Sequence, residues 1–341
     1  MTAGLLGAAC RQFERALDAA GGQVVFRLAI DGKMVELRFA GPTLVDAVVP
    51  ALSHLEAGEG RPPALTVLLW DTAGTGVPFP VPTAEERLRL AAWRRRGPWE
   101  EVGTGGERVM HQPYEDVLGI LGDGLAVHWV ADAKSLPYYE RSAPMLHLLH
   151  WWLAGHGLQM VHAAAVGRPE GGVLIVGPGG TGKSTTALAC LGSPVPYASE
   201  DYTLVSAGPA PRAVGLYRSA KLERGHELIE SLRLPRIDNP EPVPGDKALY
   251  FIDDRIVEAF LLRALVVPKV AGGTRPRLTR LPSGAEVLSA LAPSSVLQLP
   301  GTGATALAVM REVCERVPSY LLELGADIDA IPAVLDGLLS T

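Results

Sequence analysis

The sequence predicts a mixed α/β protein in two parts: a smaller α+β domain over 1–156, then a domain over 157–341 built on a mixed sheet. Three observations carry this. A buried apolar run at 171–176 passes straight into a Gly-rich turn that opens a helix. Short apolar runs alternate with helical periodicity through the second half. Near residue 156 an apolar helix ends, and the character of the chain changes there.

Element by element, residues 5–20 read as a helix stopped by Gly21-Gly22. Residues 23–30 and 33–39 alternate around Asp31-Gly32, a hairpin signal. A helix is expected over 43–55, a loop over 56–63 and a buried strand over 64–70. Thr83 and Glu86 form a capping box for a helix to about Arg96. Strands follow over 107–131, turning at Gly122-Asp123-Gly124, and then an apolar helix over 144–155. One strand is expected at 158–167, a second at 171–176, and a helix over 183–191. Short strands fall near 202–206, 213–217, 247–252 and 262–267. Ser283 and Glu286 cap a helix to about Leu291; a helix over 301–317, a strand over 319–323 and a helix over 328–339 complete the chain.

Composition narrows the function classes. Hydrophobic residues make up 48% and charged residues 20%, enough apolar content for a packed core. The net charge of −6 argues against a nucleic-acid partner. Three cysteines, Cys10, Cys190 and Cys314, are an odd number without a Cys-x-x-Cys pair, which points to a reducing, cytoplasmic location. The first residues lack the basic and apolar regions of a signal peptide. The most apolar stretch, 146–166, is interrupted by His147, His150, His156 and His162, so no membrane role is expected.

Gly177-Pro178-Gly179-Gly180-Thr181-Gly182-Lys183-Ser184 matches Gly-x4-Gly-Lys-[Ser/Thr] in full, between the expected strand and helix. Successive backbone N–H groups in such a turn point inward and cradle anions, and the helix terminus adds positive potential. Lys183 is then placed for the β- and γ-phosphates of ATP, Ser184 for Mg²⁺, and Thr185 beside them. The loop by itself is compatible with hydrolysis, phosphoryl transfer or nucleotide sensing.

Transfer needs an acid for the metal and a group that orients the acceptor. Glu200-Asp201 follows the loop helix at a distance that allows a short strand to return beside the loop. Adjacent side chains diverge, so one can face Mg²⁺ and the other the acceptor; a solvated turn with two surface acids is the alternative. His162, fifteen residues before Gly177, is either a buried structural histidine or a member of the same site.

In this order and spacing, His162, Gly177 to Ser184 and Glu200-Asp201 resemble the HPr kinase/phosphorylase superfamily, whose core also resembles phosphoenolpyruvate carboxykinase. The run His162-Ala-Ala-Ala-Val and the segment 318–325 look closer to the HPr-kinase-like serine kinases, some of which accompany peptide natural-product pathways. The resemblance covers roughly 157–330 and implies an HPr-kinase-like P-loop core with ATP- and Mg²⁺-dependent phosphorylation of a hydroxyl, often a serine. Carried over by position, Lys183 and Ser184 hold nucleotide and metal, Glu200 and Asp201 supply metal ligation and the base, and His162 sits at the edge of the site. Residues 1–155 suggest the accessory, substrate-recognition domain of such kinases, and homo-oligomers occur among them. The chain departs from the pattern at Glu200, where the pair is usually Asp-Asp, and at Thr185, where the parent enzymes have Glu. The later signature tied to the phosphorylase reaction is missing, so neither that reaction nor HPr as substrate is implied.

A peptide or protein serine is therefore the expected acceptor. A small metabolite on the same core, or a nucleotide-dependent binding module with little turnover, are the competing readings. Arg218 and Lys221 are candidates to contact the transferred phosphate, against plain surface solvation. Trp93-Arg94-Arg95-Arg96 reads as the positive end of a helix, Asp253-Asp254 as an exposed turn, and His147 and His150 as core residues.

Overall fold

The computed structural model describes residues 4–58, 60–79, 101–102, 107–112, 117–224, 226, 228, 234, 236–237, 247–253 and 256–340. The chain is mixed α/β and divides into two compact units, Met1–Trp152 and Leu153–Thr341. The division falls inside the apolar helix Leu146–Ala154. The start of that helix packs into the first unit: a Cβ on Gly119 would come within 3.0 Å of Leu148.

Among its described residues the first unit holds seven strands, β1 (Gln23–Ile30), β2 (Lys33–Ala40), β3 (Leu65–Asp71), β4 (Glu101–Val102), β5 (Arg108–Gln112), β6 (Val117–Leu121) and β7 (Leu125–Val130). Their order is β1-β2-β3-β7-β6-β5-β4. β2, β3 and β7 run parallel, and the remaining pairs are antiparallel. The β1–β2 hairpin turns through Asp31 and Gly32, both with positive φ, as a two-residue turn of matching twist requires. Helix Leu5–Ala20 buries Leu6, Ala9, Phe13 and Ala16 against Leu68, Trp70 and Val127. The helix expected over 43–55 is instead a single turn, Val45–Val48, followed by 3₁₀ turns at Val49–Ala51 and Ser53–Leu55. Pro50 removes a backbone donor there and stops the α-helix. The helix expected to end near Arg96, with Thr83, Glu86 and the Trp93–Arg96 cluster, lies outside the described residues.

The second unit begins with β8 (Gln159–Val161), β9 (Ala163–Arg168) and β10 (Gly171–Val176). It continues with β11 (Tyr197–Ser199), β12 (Thr203–Ser206), β13 (Arg212–Gly215), β14 (Ser219–Glu223), β15 (Arg236–Ile237) and β16 (Lys247–Phe251). β17 (Ala259–Val270), β18 (Arg277–Arg280) and β19 (Ser319–Leu324) complete it. The main sheet has the order β11-β9-β10-β17-β13-β12-β8, with β19 joined to β17 and β18; β14, β16 and β15 form a separate small sheet. β10 is buried on both faces. Val173 and Ile175 meet Leu188 and Leu335 on one side, and Leu174 and Val176 meet Leu291, Met310 and Val313 on the other. Two-sided burial explains why this strand reads as a continuous apolar run.

Direction in this sheet gathers the site. β10, β17 and β19 are parallel. β9 is antiparallel to both β10 and β11, so β11 points the same way as β10. The carboxyl ends of β10, β11, β17 and β19 and the amino end of β9 therefore share one edge, where ligands of parallel sheets usually sit.

Candidate functional site

The strand expected over 158–167 is two strands broken at His162. β8 pairs with β12, whereas β9 pairs with β10 and β11. At the break the His162 N–H leaves the ladder and donates to Ser295 Oγ at 3.0 Å. His162 is thereby held, buried, at the sheet edge where β10 ends.

From β10 the chain enters the Gly-rich turn and then helix Lys183–Ala189. Gly182 caps this helix with φ 101°, and a Cβ there would fall 2.3 Å from Leu324 Cδ1. Both facts demand glycine. The turn is braced internally: Thr181 Oγ1 donates to Pro178 O at 2.9 Å, and Lys183 Nζ donates to Gly177 O at 2.7 Å and Pro178 O at 3.2 Å. Burial pushes the Lys183 ammonium below its ordinary value, against the pull of Asp201 and Glu200.

Glu200 and Asp201 leave the end of β11 toward the loop. Ser184 Oγ donates directly to Glu200 Oε1, and the Lys221 N–H donates to Glu200 Oε2 at 3.3 Å. Asp201 Oδ2 accepts from Lys221 Nζ at 2.6 Å, and Asp201 Oδ1 lies 3.2 Å from His162 Nε2. The neighbours are driven apart electrostatically. Burial, reinforced by the charge of Asp201, raises Glu200 above the usual carboxylate range. Burial also disfavours ionised Asp201, but Lys221 and His162 outweigh it and hold Asp201 well below that range.

Ionised Asp201 can only accept, so the ring N–H on His162 Nε2 donates to it, and the other ring nitrogen is Nδ1. Gln298 Nε2 faces that Nδ1 at 3.4 Å, while Gln298 Oε1 accepts from Tyr202 O–H at 3.0 Å. Ser295 and Gln298, one turn apart on helix Ala285–Gln298, thus hold His162 from behind. Thr185 Oγ1 lies 3.0 Å from His226 Nε2, and His226 Nδ1 accepts from the Leu228 N–H at 3.2 Å, which puts the ring proton on Nε2 facing Thr185. Spacing along the chain gave no sign of Gln298 or His226.

These groups surround one cleft of about 380 Å³, lined by Gly179, Gly180, Gly182, Lys183, Ser184, Thr185, Glu200, Asp201, His162 and Lys221. Arg218 stands apart from this set. It pairs with Asp253 at 2.8 Å and does not line the cleft. It lies three positions before Lys221, and an odd interval along extended chain sends the two side chains to opposite faces. Ser184 and Glu200 offer adjoining oxygen donors, a set that suits Mg²⁺ completed by water and phosphate oxygens. Among the described residues no helix is long and apolar enough to cross a membrane. His150 is fully buried and His147 nearly so, both within helix Leu146–Ala154.

No family model matches the chain, and no curated protein matches it. Among solved structures it is similar to the Hpr(Ser) kinase/phosphatase from Coxiella burnetii, with 14% identity, 52% of this chain and 95% of that chain covered, and a TM-score of 0.26.

Proposed function

We propose that the chain is an HPr-kinase-like phosphotransferase that moves the γ-phosphoryl group of ATP, with Mg²⁺, to a hydroxyl, most simply a serine of a peptide or protein. One observation carries the reading: Ser184, Glu200, Asp201, His162 and Lys221 form one connected set of contacts at the mouth of the Gly-rich turn. A chance Gly-rich turn has no reason to meet a split pair of carboxylates.

In this reading Gly179, Gly180, Thr181 and Gly182 bind phosphate oxygens through backbone N–H groups. Lys183 exchanges the carbonyls of Gly177 and Pro178 for the β- and γ-phosphates. Ser184 and Glu200 hold Mg²⁺, which when bound neutralises phosphate charge. A buried carboxyl costly to ionise in isolation suits a place where a cation arrives. Asp201, kept ionised by Lys221 and His162, orients the acceptor hydroxyl and receives its proton as the new P–O bond forms and the bond to the β-phosphate oxygen breaks. So acidic a carboxylate is a weak base. Its contribution is mainly positioning, which dominates phosphoryl transfer. A cleft of about 380 Å³ is at the small end for a single ligand and supports an acceptor that enters from outside. The first unit then serves as the accessory, substrate-recognition part, with action in the cytoplasm and assembly into a homo-oligomer as parts of the same proposal.

The test is label transfer. Wild type and Lys183→Ala are each mixed with γ-labelled ATP, Mg²⁺ and a size-fractionated cell extract. Label entering a peptide or protein fraction with wild type alone is the expected result. Label confined to small molecules would transfer the reading to a metabolite kinase, and equal labelling by Lys183→Ala would remove the loop from the mechanism.

A further inference from the structure

Outside the cleft, charge is unevenly placed along the chain. The net charge is −6, yet residues 259–285 contain Arg263, Lys269, Arg275, Arg277 and Arg280 and no carboxylate. The fold gathers three of these cations at one corner of the second unit. β17 and β18 both pair with β19, and the two registers set Lys269 and Arg277 on either side of Glu323 in one cross-strand row. Arg275, in the loop between β17 and β18, joins Arg277 and Glu323 around a hollow of about 500 Å³. Lys269, Arg275 and Arg277 are exposed, and among the described residues none of the three is in an ion pair. The loop is fixed in place. The Ala326 N–H donates to Gly273 O at 3.1 Å, the Asp327 N–H donates to Thr274 O at 2.8 Å, and a Cβ on Gly325 would fall 2.4 Å from Thr274 O. Leu324 lines both this hollow and the cleft, so the basic corner borders the candidate site.

A cationic corner on an anionic protein draws negatively charged partners to that corner. Its chemistry selects the kind. A nucleic acid is held by stacking as well as by charge, and Phe260, the one aromatic residue in 259–285, is buried. Glu323, between the two cations of the row, repels an unbroken line of phosphates and tolerates carboxylates spaced along a peptide. Reach points the same way. Five strand intervals separate β11, which leads into Glu200 and Asp201, from β18. That is about 24 Å, a span that an extended chain covers in about seven residues and a small metabolite does not. We propose that Lys269, Arg275 and Arg277 form a docking surface for an acidic segment of a protein partner. On the footing of the proposed function, that partner is the acceptor, engaged here while its hydroxyl lies at Asp201. Rim charges of this kind set association rate and partner choice more than affinity, and they are screened by salt.

Fluorescence anisotropy on the full chain tests this with a labelled deca-glutamate peptide, and with labelled deca-thymidylate for comparison. Wild type should bind the peptide at low salt, release it at about 0.5 M salt, and prefer it to deca-thymidylate. Arg275→Glu with Arg277→Glu should weaken the peptide at least tenfold. Arg15→Glu with Arg61→Glu changes the net charge equally at two exposed positions of the first unit and should stay within twofold. If the first pair lowers Tm, Arg275→Gln with Arg277→Gln answers in its place, with at least a threefold loss. The surface is overturned if wild type does not bind the peptide, if deca-thymidylate binds more tightly, if both charge-reversed pairs weaken the peptide alike, or if the Arg275 and Arg277 variants bind as wild type does. Failure of the underlying function looks different: the peptide docks at Arg275 and Arg277, and wild type transfers no label to any fraction of an extract.

Discussion

Glu200 and Asp201 are chain neighbours with opposite acid–base character, and the difference comes from their partners. Asp201 has an ammonium on one oxygen and an imidazole N–H on the other. Glu200 has a serine hydroxyl and a backbone N–H, with a second carboxylate close by. Two environments pushed apart in this way commonly mark two roles. Asp201→Asn keeps the shape and removes the charge. It should lower kcat by roughly 10²–10⁴ while Kd for ATP stays within several-fold, measured by single-turnover transfer and by calorimetry; loss of ATP binding alone would make Asp201 structural. His162, Lys183, Ser184 and this pair were legible because a strand, a turn and a returning strand impose short, recognisable intervals. Gln298 was not, since it reaches His162 from 136 residues away, and Thr185 meets His226 across 41. No local pattern encodes such meetings; they follow from how helix Ala285–Gln298 lands on the sheet.

At the scale of an element, the turn and its helix depend on Gly182. Alanine there would meet the left-handed backbone penalty, about 1–2 kcal/mol, and would collide with Leu324. Gly182→Ala should lower Tm by several degrees and weaken ATP more than tenfold, read by calorimetric melting and by titration. An unchanged Tm would mean the turn relaxes without cost. Elements with strong periodicity or turn chemistry were readable: helix Leu5–Ala20, the β1–β2 hairpin, β3, β10 and helix Gly303–Arg316. The errors have physical causes. Apart from Gln159 and His162 the 158–167 run is apolar, with no turn residue before Gly167, so nothing in it announces that His162 leaves one ladder and that β8 and β9 join different partners. β11, β14 and β18 are three to five residues long, too short for a period, and are strands because distant chain pairs with them.

At the scale of the whole molecule, each unit has its own core, so each has its own sensitivity to solution conditions. In the first unit His128 is buried in β7, and burial pushes it down to about 4. Its unfolded value is near 6.5, so the folded state binds the proton less well. The contribution of neutral His128 to stability is complete above that unfolded value and is lost as pH falls toward the folded one, to a limit of about 3 kcal/mol. Chemical denaturation at pH 7.5 and pH 4.5 should show a smaller acid loss for His128→Gln than for wild type; equal losses would place the proton elsewhere. In the second unit β17 is the strand that ties the site together. Its ladders bind 262–266 to β10 and 265–270 to β19. A ribosome releases the chain from the amino end, so the turn, the acidic pair and β17 are all outside before Ser319 is added. Until β19 docks, the nascent protein carries the charged residues of the cleft without Leu324. The cleft is therefore among the last features to be completed during synthesis, and a product cut short before Leu324 would contain every residue of the motif without an assembled site.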